Sequence, residues 1–519
     1  MTYWARTPEP REQAVLFPQR LDEALPPDHV VRMLDEILGR VDWSRWEACY
    51  DGRIGQPPIH PRVLAGVLLY GMWTRLRSSR GLEEALRVRL DFRWLAEGRT
   101  IDHTTISEFR RHHSAELKDL FVRICQLARE LGLLKLEELG FDGTRVRANN
   151  RRSGTRTPEQ LRQERADLQK LFEESQRQAE AEDARDEERF GLRNPQELPA
   201  ELRDAAHRRE KLDAILKNLA EAEAAGGTTP KRVPVTDPDA RVMPNKEGGH
   251  AVNYTPTATP DLDSGIIVAA DVLNVINEDG ELIATCEEVQ AQFSLPRPPA
   301  MAADGLMATG ANIAGCEERG ITFYSPVPLP DPATNPALRD DPTQPVAQSD
   351  WQRLPTHSMK SGGQTRQQLD KTAFVYDQAR NCYWCPLGQP LNYACTTSEA
   401  SRSGRRVRDR YQAEVKSCSG CPLRERCVMG QARSRQINRE QYDAHRERHA
   451  QHMARPESQA KYARRRHAGE RPFATIKHQF GLRQFLLRGL QAVRDEWCWA
   501  VVAFNVHRMM GLLKCRAGP

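Results

Sequence analysis

No run of about 18 apolar residues occurs in the 519-residue chain, so no membrane-spanning helix is expected. The opening Met1-Thr-Tyr-Trp-Ala-Arg lacks the charged and apolar regions of a secretion signal, which points to a cytoplasmic protein. A net charge of +5, from 76 Lys+Arg against 71 Asp+Glu, excludes any argument from overall charge. The cysteines do not form a disulfide framework, because six of the twelve fall between 382 and 427 and the others are scattered singly among apolar residues. That usage fits a reducing compartment with one cysteine cluster. Lysine is scarce beside arginine, the residue suited to bidentate phosphate contacts. The length suggests roughly two to four domains.

Charge is present in patches. Residues 451–490 hold nine Lys/Arg against two acids, one of them Glu470. Helical spacing puts Arg466, Glu470, Phe473 and Lys477 on one face. A carboxylate among cations suits a metal ion and an anionic phosphate, while the alternative is a solvated helix with an internal ion pair.

Residues 1–135 read as an all-α domain. Pro26-Pro27-Asp28 caps a helix beginning near Val30, Pro61 opens a second through Trp73, and Leu82–Leu95 forms a third block. The capping-box pair Thr105 and Glu108 starts another helix carrying Arg110 and Arg111. With the break at Glu97-Gly98-Arg99, these two blocks resemble a helix-turn-helix, and Arg110 and Arg111 become candidate DNA contacts. Residues 136–155 and 228–330 read as a mixed α/β sheet. Phe141-Asp142-Gly143 ends one apolar strand, and Ala300-Met-Ala-Ala-Asp304-Gly305 repeats the pattern. Between them Pro260-Asp-Leu-Asp263 marks a hairpin, followed by a helix over 279–293. Residues 156–227 form a charged helical hairpin broken at 190–195. Residues 331–450 begin with a long loop to about 370 and continue as a Cys-rich β insertion. Residues 451–519 are helical and carry Glu470.

Within the insertion, Cys382-x2-Cys385 and Cys418-x2-Cys421-Pro-x4-Cys427 have the spacing of zinc knuckles. Cys385, Cys418, Cys421 and Cys427 are the favoured ligands of a structural Zn2+, with Cys382 competing for the first place. The stretch 402–410 is a second candidate phosphate contact.

Taken in order, several motifs resemble the DDE transposases of bacterial insertion sequences with an InsH-type N-terminal domain. They are Arg77-Ser-Ser-Arg80, Asp102-His-x-Thr105-Ile-Ser107-x-Phe-Arg110-Arg, Asp142-Gly-Thr144, Ala303-Asp304-Gly305, Cys418-x2-Cys421-Pro, Glu470-x-Pro-Phe473-x3-Lys477 and Phe485-Leu-Leu-Arg-Gly-Leu490. The resemblance implies an RNase H-like catalytic domain in which Asp142, Asp304 and Glu470 bind two Mg2+ (or Mn2+) ions. It also implies phosphate contacts by Arg466 and Lys477, and cleavage of element ends followed by strand transfer. The implied partners are terminal repeats and target DNA on the bacterial nucleoid, with a homodimer in the DNA complex. Asp271 is the rival for the second carboxylate. Tyr462 stands one position before the family's Tyr, and Leu306-Met307 occupy the region of another, so a catalytically inactive DNA-binding descendant is the alternative reading.

Overall fold

The computed structural model describes residues 20–52, 57–150, 154–190, 200–224, 232–245, 248–328, 331–361, 364–401 and 404–517. The predicted break at 190–195 and residues 402–403 of the arginine stretch lie wholly or largely outside them. Two compact units are present, one formed by 1–299 with 464–519 and the other by 300–463. Among the described residues, no helix is long and apolar enough to cross a membrane.

The first unit is built on the strand His250–Pro260, which pairs antiparallel with Asp142–Gly143, Val146–Arg147, Arg241–Pro244 and Ile267–Leu273. The hairpin at 260–263 forms as predicted because the buried Asp261 carboxylate accepts from the amides of Asp263 and Ser264 and from the Ser264 hydroxyl. The predicted helix after it is Leu282–Gln292, preceded by a short 3-10 turn. The single apolar strand expected to end at Asp142 is instead broken into Glu138–Gly140, Asp142–Gly143 and Val146–Arg147.

The helix Leu490–Ala517 buries Val493, Trp497, Val501 and Phe504 in the core of this unit. Its Trp497 indole donates to the Thr257 carbonyl at 3.0 Å, and its Asn505 bonds both backbone groups of Ile267. The N-terminal helices share that core, with Trp46, Phe109 and Trp499 in mutual ring contact. The helices Pro158–Phe190 and Ala200–Ala224 meet through Leu161, Leu212, Ile215 and Leu219.

The helix His103–His112 starts earlier than the capping box implies. Its cap is Asp102, whose carboxylate accepts from the amides of Thr104 and Thr105 at 2.8 and 2.9 Å. Arg110 also departs from expectation: it is only 8% exposed and donates to the Arg77 carbonyl at 2.9 Å. Burial presses its pKa down, and the nearby Glu496 carboxylate opposes that shift. Arg110 is therefore an internal cation, closed off from a DNA phosphate, because its helix turns that side chain toward the C-terminal helix. Arg111 is exposed.

In the second unit Ala300–Ala302 pairs parallel with Phe323–Tyr324. The stretch expected as a long loop contains the antiparallel hairpin Thr356–Ser361 with Gln364–Leu369. Its polar residues carry no alternating apolar signal, which is why its strands escape detection. The Cys-rich part is a five-stranded antiparallel sheet running from Val375–Asp377 to Gln436–Glu440.

Glu496 neutralises Arg77 (2.6 Å, side chains 10% and 1% exposed) and offsets Arg110. Glu496→Ala should lower the unfolding free energy by roughly 3–5 kcal/mol, the cost of stranding buried cations. Denaturant unfolding checks this, and a loss below about 1 kcal/mol would refute the assignment of a structural ion pair.

Candidate active site and cysteine centre

Extended backbone turns alternate side chains to opposite faces, so Asp142 and Thr144 share one face of their segment and Gly143 takes the other. On the Asp142 face lies the helix Pro456–Ala474 with the π-helical turn Thr475–Gln479 that continues it. Arg465 approaches the Asp142 carboxylate at 3.1 Å. Lys477 bonds the Thr144 hydroxyl and donates to the Arg145 carbonyl at 2.8 Å. Glu470 lies between these anchors and is exposed, as is Arg466, whereas Phe473 is buried. The predicted stripe is thus the edge of the buried face. Among the described residues neither Arg466 nor Glu470 takes an ion pair, which removes the intrahelical salt bridge as its explanation.

A Cβ at Gly143 would meet Glu278 Oε1 at 2.6 Å, so any larger residue there would have to displace the Glu278 side chain. Glu278 also lies 3.8 Å from Arg145. It is a carboxylate on the strand face opposite Asp142, and no sequence signal singles it out.

In the second unit Asp304 follows the strand Ala300–Ala302 and caps a 3-10 turn. Its Oδ1 accepts from the amides of Leu306 and Met307 at 3.0 and 3.3 Å. The cap uses one oxygen and leaves Oδ2 on a half-exposed carboxylate. Its rival Asp271, on the strand Ile267–Leu273, is engaged by Arg494 of the C-terminal helix at 2.7 and 3.0 Å. Asp142 and Glu470 belong to the first unit and Asp304 to the second.

Beside the Asp142 strand, the first unit has a cleft of about 430 Å³ whose lining includes Thr144, Arg145, Arg147, Lys477, His478 and Arg483. Four of those six side chains are Lys or Arg, a lining suited to anionic oxygen. Arg147 and Arg483 belong to this cleft without having been distinguishable in sequence from other arginines.

Cys385, Cys418, Cys421 and Cys427 line one cavity of about 30 Å³ together with Arg435. Cys382 does not line it and lies instead under the influence of Asp377 and Arg380. The Gln389 amide donates to Cys385 Sγ at 3.3 Å, and Gly388 donates to the Cys385 carbonyl at 2.9 Å, closing a tight knuckle. Burial pushes the thiols of Cys385 and Cys421 up, and that of Cys427 up to about 12. A divalent cation reverses this preference by binding the thiolates. The donor set is all sulfur, the ligand type of structural zinc sites.

Gly388 has φ +70°, and a Cβ there would stand 2.0 Å from the Thr343 carbonyl oxygen. Gly388→Ala should therefore destabilise the second unit by more than about 1 kcal/mol. Urea unfolding measures this, and unchanged stability would show that the knuckle relaxes freely.

Residues 384–510 match the family model described as Transposase DDE domain, and residues 19–112 match that described as Transposase domain (DUF772). The first match includes all four cavity cysteines and Glu470 but begins after Asp142 and Asp304. No curated protein matches the chain.

Proposed function

We propose that this chain, an insertion-sequence DDE transposase by its two family matches, cuts DNA at the element's terminal repeats and joins the freed 3′ ends to target DNA. The observation that carries the reading is the placement of the Glu470 segment along the Asp142 strand, anchored by Arg465 on one side and Lys477 on the other. Asp142, Asp304 and Glu470 would hold two Mg2+ or Mn2+ ions in an RNase H-like arrangement. Their donors are all carboxylate oxygens, as hard cations require. Such a metal pair, when bound, activates a water or a 3′-hydroxyl and stabilises the leaving oxygen at phosphorus.

The chain's own residues supply the rest. The basic cleft beside Asp142 would hold the phosphates of the strand being cut. Lys477 fixes the backbone that follows Asp142, so the carboxylate keeps its direction as substrate enters. Arg111 and Arg466, both exposed, are candidate contacts to phosphates outside the cleft. The helices of 1–135 would recognise the terminal repeats, and two ends are held together most simply by a homodimer. The cysteine centre would hold one structural Zn2+ and brace the β insertion.

Purified protein incubated with terminal-repeat DNA should cut it only when Mg2+ is present. Asp142→Asn and Glu470→Gln should each abolish cutting while DNA binding persists. Cutting retained in either variant would sink the assignment, and binding without cutting in the natural protein would identify an inactive descendant.

Metal analysis should show that Cys418→Ser loses one equivalent of zinc relative to the natural chain, whereas Cys382→Ser keeps it. Equal zinc in Cys418→Ser and the natural chain would refute the cysteine centre.

A further inference from the structure

A second donor cluster lies in the N-terminal helical part of the first unit, in no described contact with either centre above. Cys49 follows the helix Ser44–Ala48, His113 immediately precedes the helix Ser114–Glu130, and Glu116 lies in that helix's first turn. The sulfur, a ring nitrogen and a carboxylate oxygen all lie within 4.8 Å of one another. His113 Nδ1 stands 3.7 Å from Glu116 Oε2. Zinc bonds of about 2.0–2.3 Å meeting at tetrahedral angles put neighbouring donor atoms roughly 3.3–3.8 Å apart, so this separation already suits two ligands of one ion.

The surroundings hold the imidazole in the required orientation. Its ring is buried against Trp46 and Phe109, each with its centroid 5.1 Å away. Its Nε2 lies 2.9 Å from the Tyr50 hydroxyl. With Nε2–H donating to the Tyr50 oxygen, the Nδ1 lone pair faces Glu116. A hydrogen bond on the far ring nitrogen is the device that orients histidine ligands of metals. The competing account is an ion pair between protonated His113 and Glu116, with the Cys49 thiol bonded to the Arg45 carbonyl at 3.6 Å.

We propose that Cys49, His113 and Glu116 form a zinc site, with water completing the coordination. A soft thiolate, a borderline imidazole and a carboxylate together favour Zn2+ over the hard ions of the carboxylate centre. On binding, the Cys49 thiol releases its proton to solvent and the sulfur bonds the metal. The ion then ties the end of Ser44–Ala48 to the start of Ser114–Glu130.

The test uses the full-length chain, stripped by a chelator and titrated with Zn2+ against a chromophoric competitor. The natural protein should bind one equivalent more than Cys49→Ala, and Glu116→Gln should lose or severely weaken that same equivalent. Tyr50→Phe should keep the site but weaken it by roughly 10–100-fold, an effect that loss of packing alone would not confine to one equivalent. Far-ultraviolet circular dichroism identifies any variant that fails to fold, and the remaining two then decide. Equal stoichiometry and affinity in the natural protein and the folded variants would overturn the proposal. Each comparison is a difference between variants, so it holds whether or not the cysteine centre of the second unit is loaded.

Discussion

The first unit depends on one buried carboxylate. Glu496 sits on the central helix Leu490–Ala517, takes the Arg77 guanidinium at 2.6 Å, and accepts from the amides of Leu486 and Leu487. Arg77 in turn donates to the carbonyls of Gly481 and Gln484, and the neighbouring Arg75 donates to those of His478 and Gln479. The segment 478–487 is thereby held from both sides. It completes the basic cleft, since Arg147 donates to the Arg483 carbonyl and Phe485 donates back to that of Arg147. A charge pair removed from water is a poor source of net stability, but its geometry is unforgiving. Here it sets the position of the cationic residues next to the Asp142 strand.

Two further carboxylates of this unit are also matched to arginines, Asp142 to Arg465 and Asp271 to Arg494, but the consequences differ. Asp271 is tied to the core helix through a contact that any structural hairpin would tolerate. Asp142 meets a guanidinium on the same helix that bears Glu470. A cation admitted at Asp142 must share that carboxylate with Arg465 or displace it, so the electrostatics of the strand and of the Glu470 helix are coupled. The cysteine centre follows the opposite logic. The thiols of Cys385, Cys421 and Cys427 are pushed toward the neutral form by burial, a preference that a bound cation would reverse.

Local chemistry was legible in the sequence wherever it repeats a short, self-contained device. The hairpin around Asp261, the paired cysteine knuckles and the two charged helices around Leu161 and Leu212 are each specified by neighbours in the chain. What escaped was set mostly by partners that the local sequence pattern does not reveal. Arg110 reads as a surface cation because its sequence neighbours are polar, yet its environment is made by Arg77 and by Glu496 on the last helix. Thr105 and Glu108 have the capping-box spacing, but Asp102 lies closer to the true helix start and its carboxylate reaches two amides. Cys49, His113 and Glu116 carry no recognisable spacing, because the first approaches from a different helix. The hairpin over 356–369 escaped for another reason: both its strands are polar, so no face of them announces a core.

Pro472 shows what a proline does to the helix that carries Glu470. Proline has no N–H to donate to the carbonyl four residues back, so the helical hydrogen-bond ladder is interrupted just after Glu470. The helix nevertheless runs through Pro472 to Ala474 and then widens into the π-helical turn Thr475–Gln479, closed by the Phe480 amide on the Thr475 carbonyl at 3.0 Å. In a continuous α-helix Lys477 would follow Glu470 by seven steps of roughly 100° each, returning almost to the same direction. The wider turn changes that phase, and Lys477 comes to rest on Thr144 and the Arg145 carbonyl. Glu470 keeps its exposed position while Lys477 closes onto the strand. The backbone irregularity separates an exposed carboxylate from a cation that holds the strand in place.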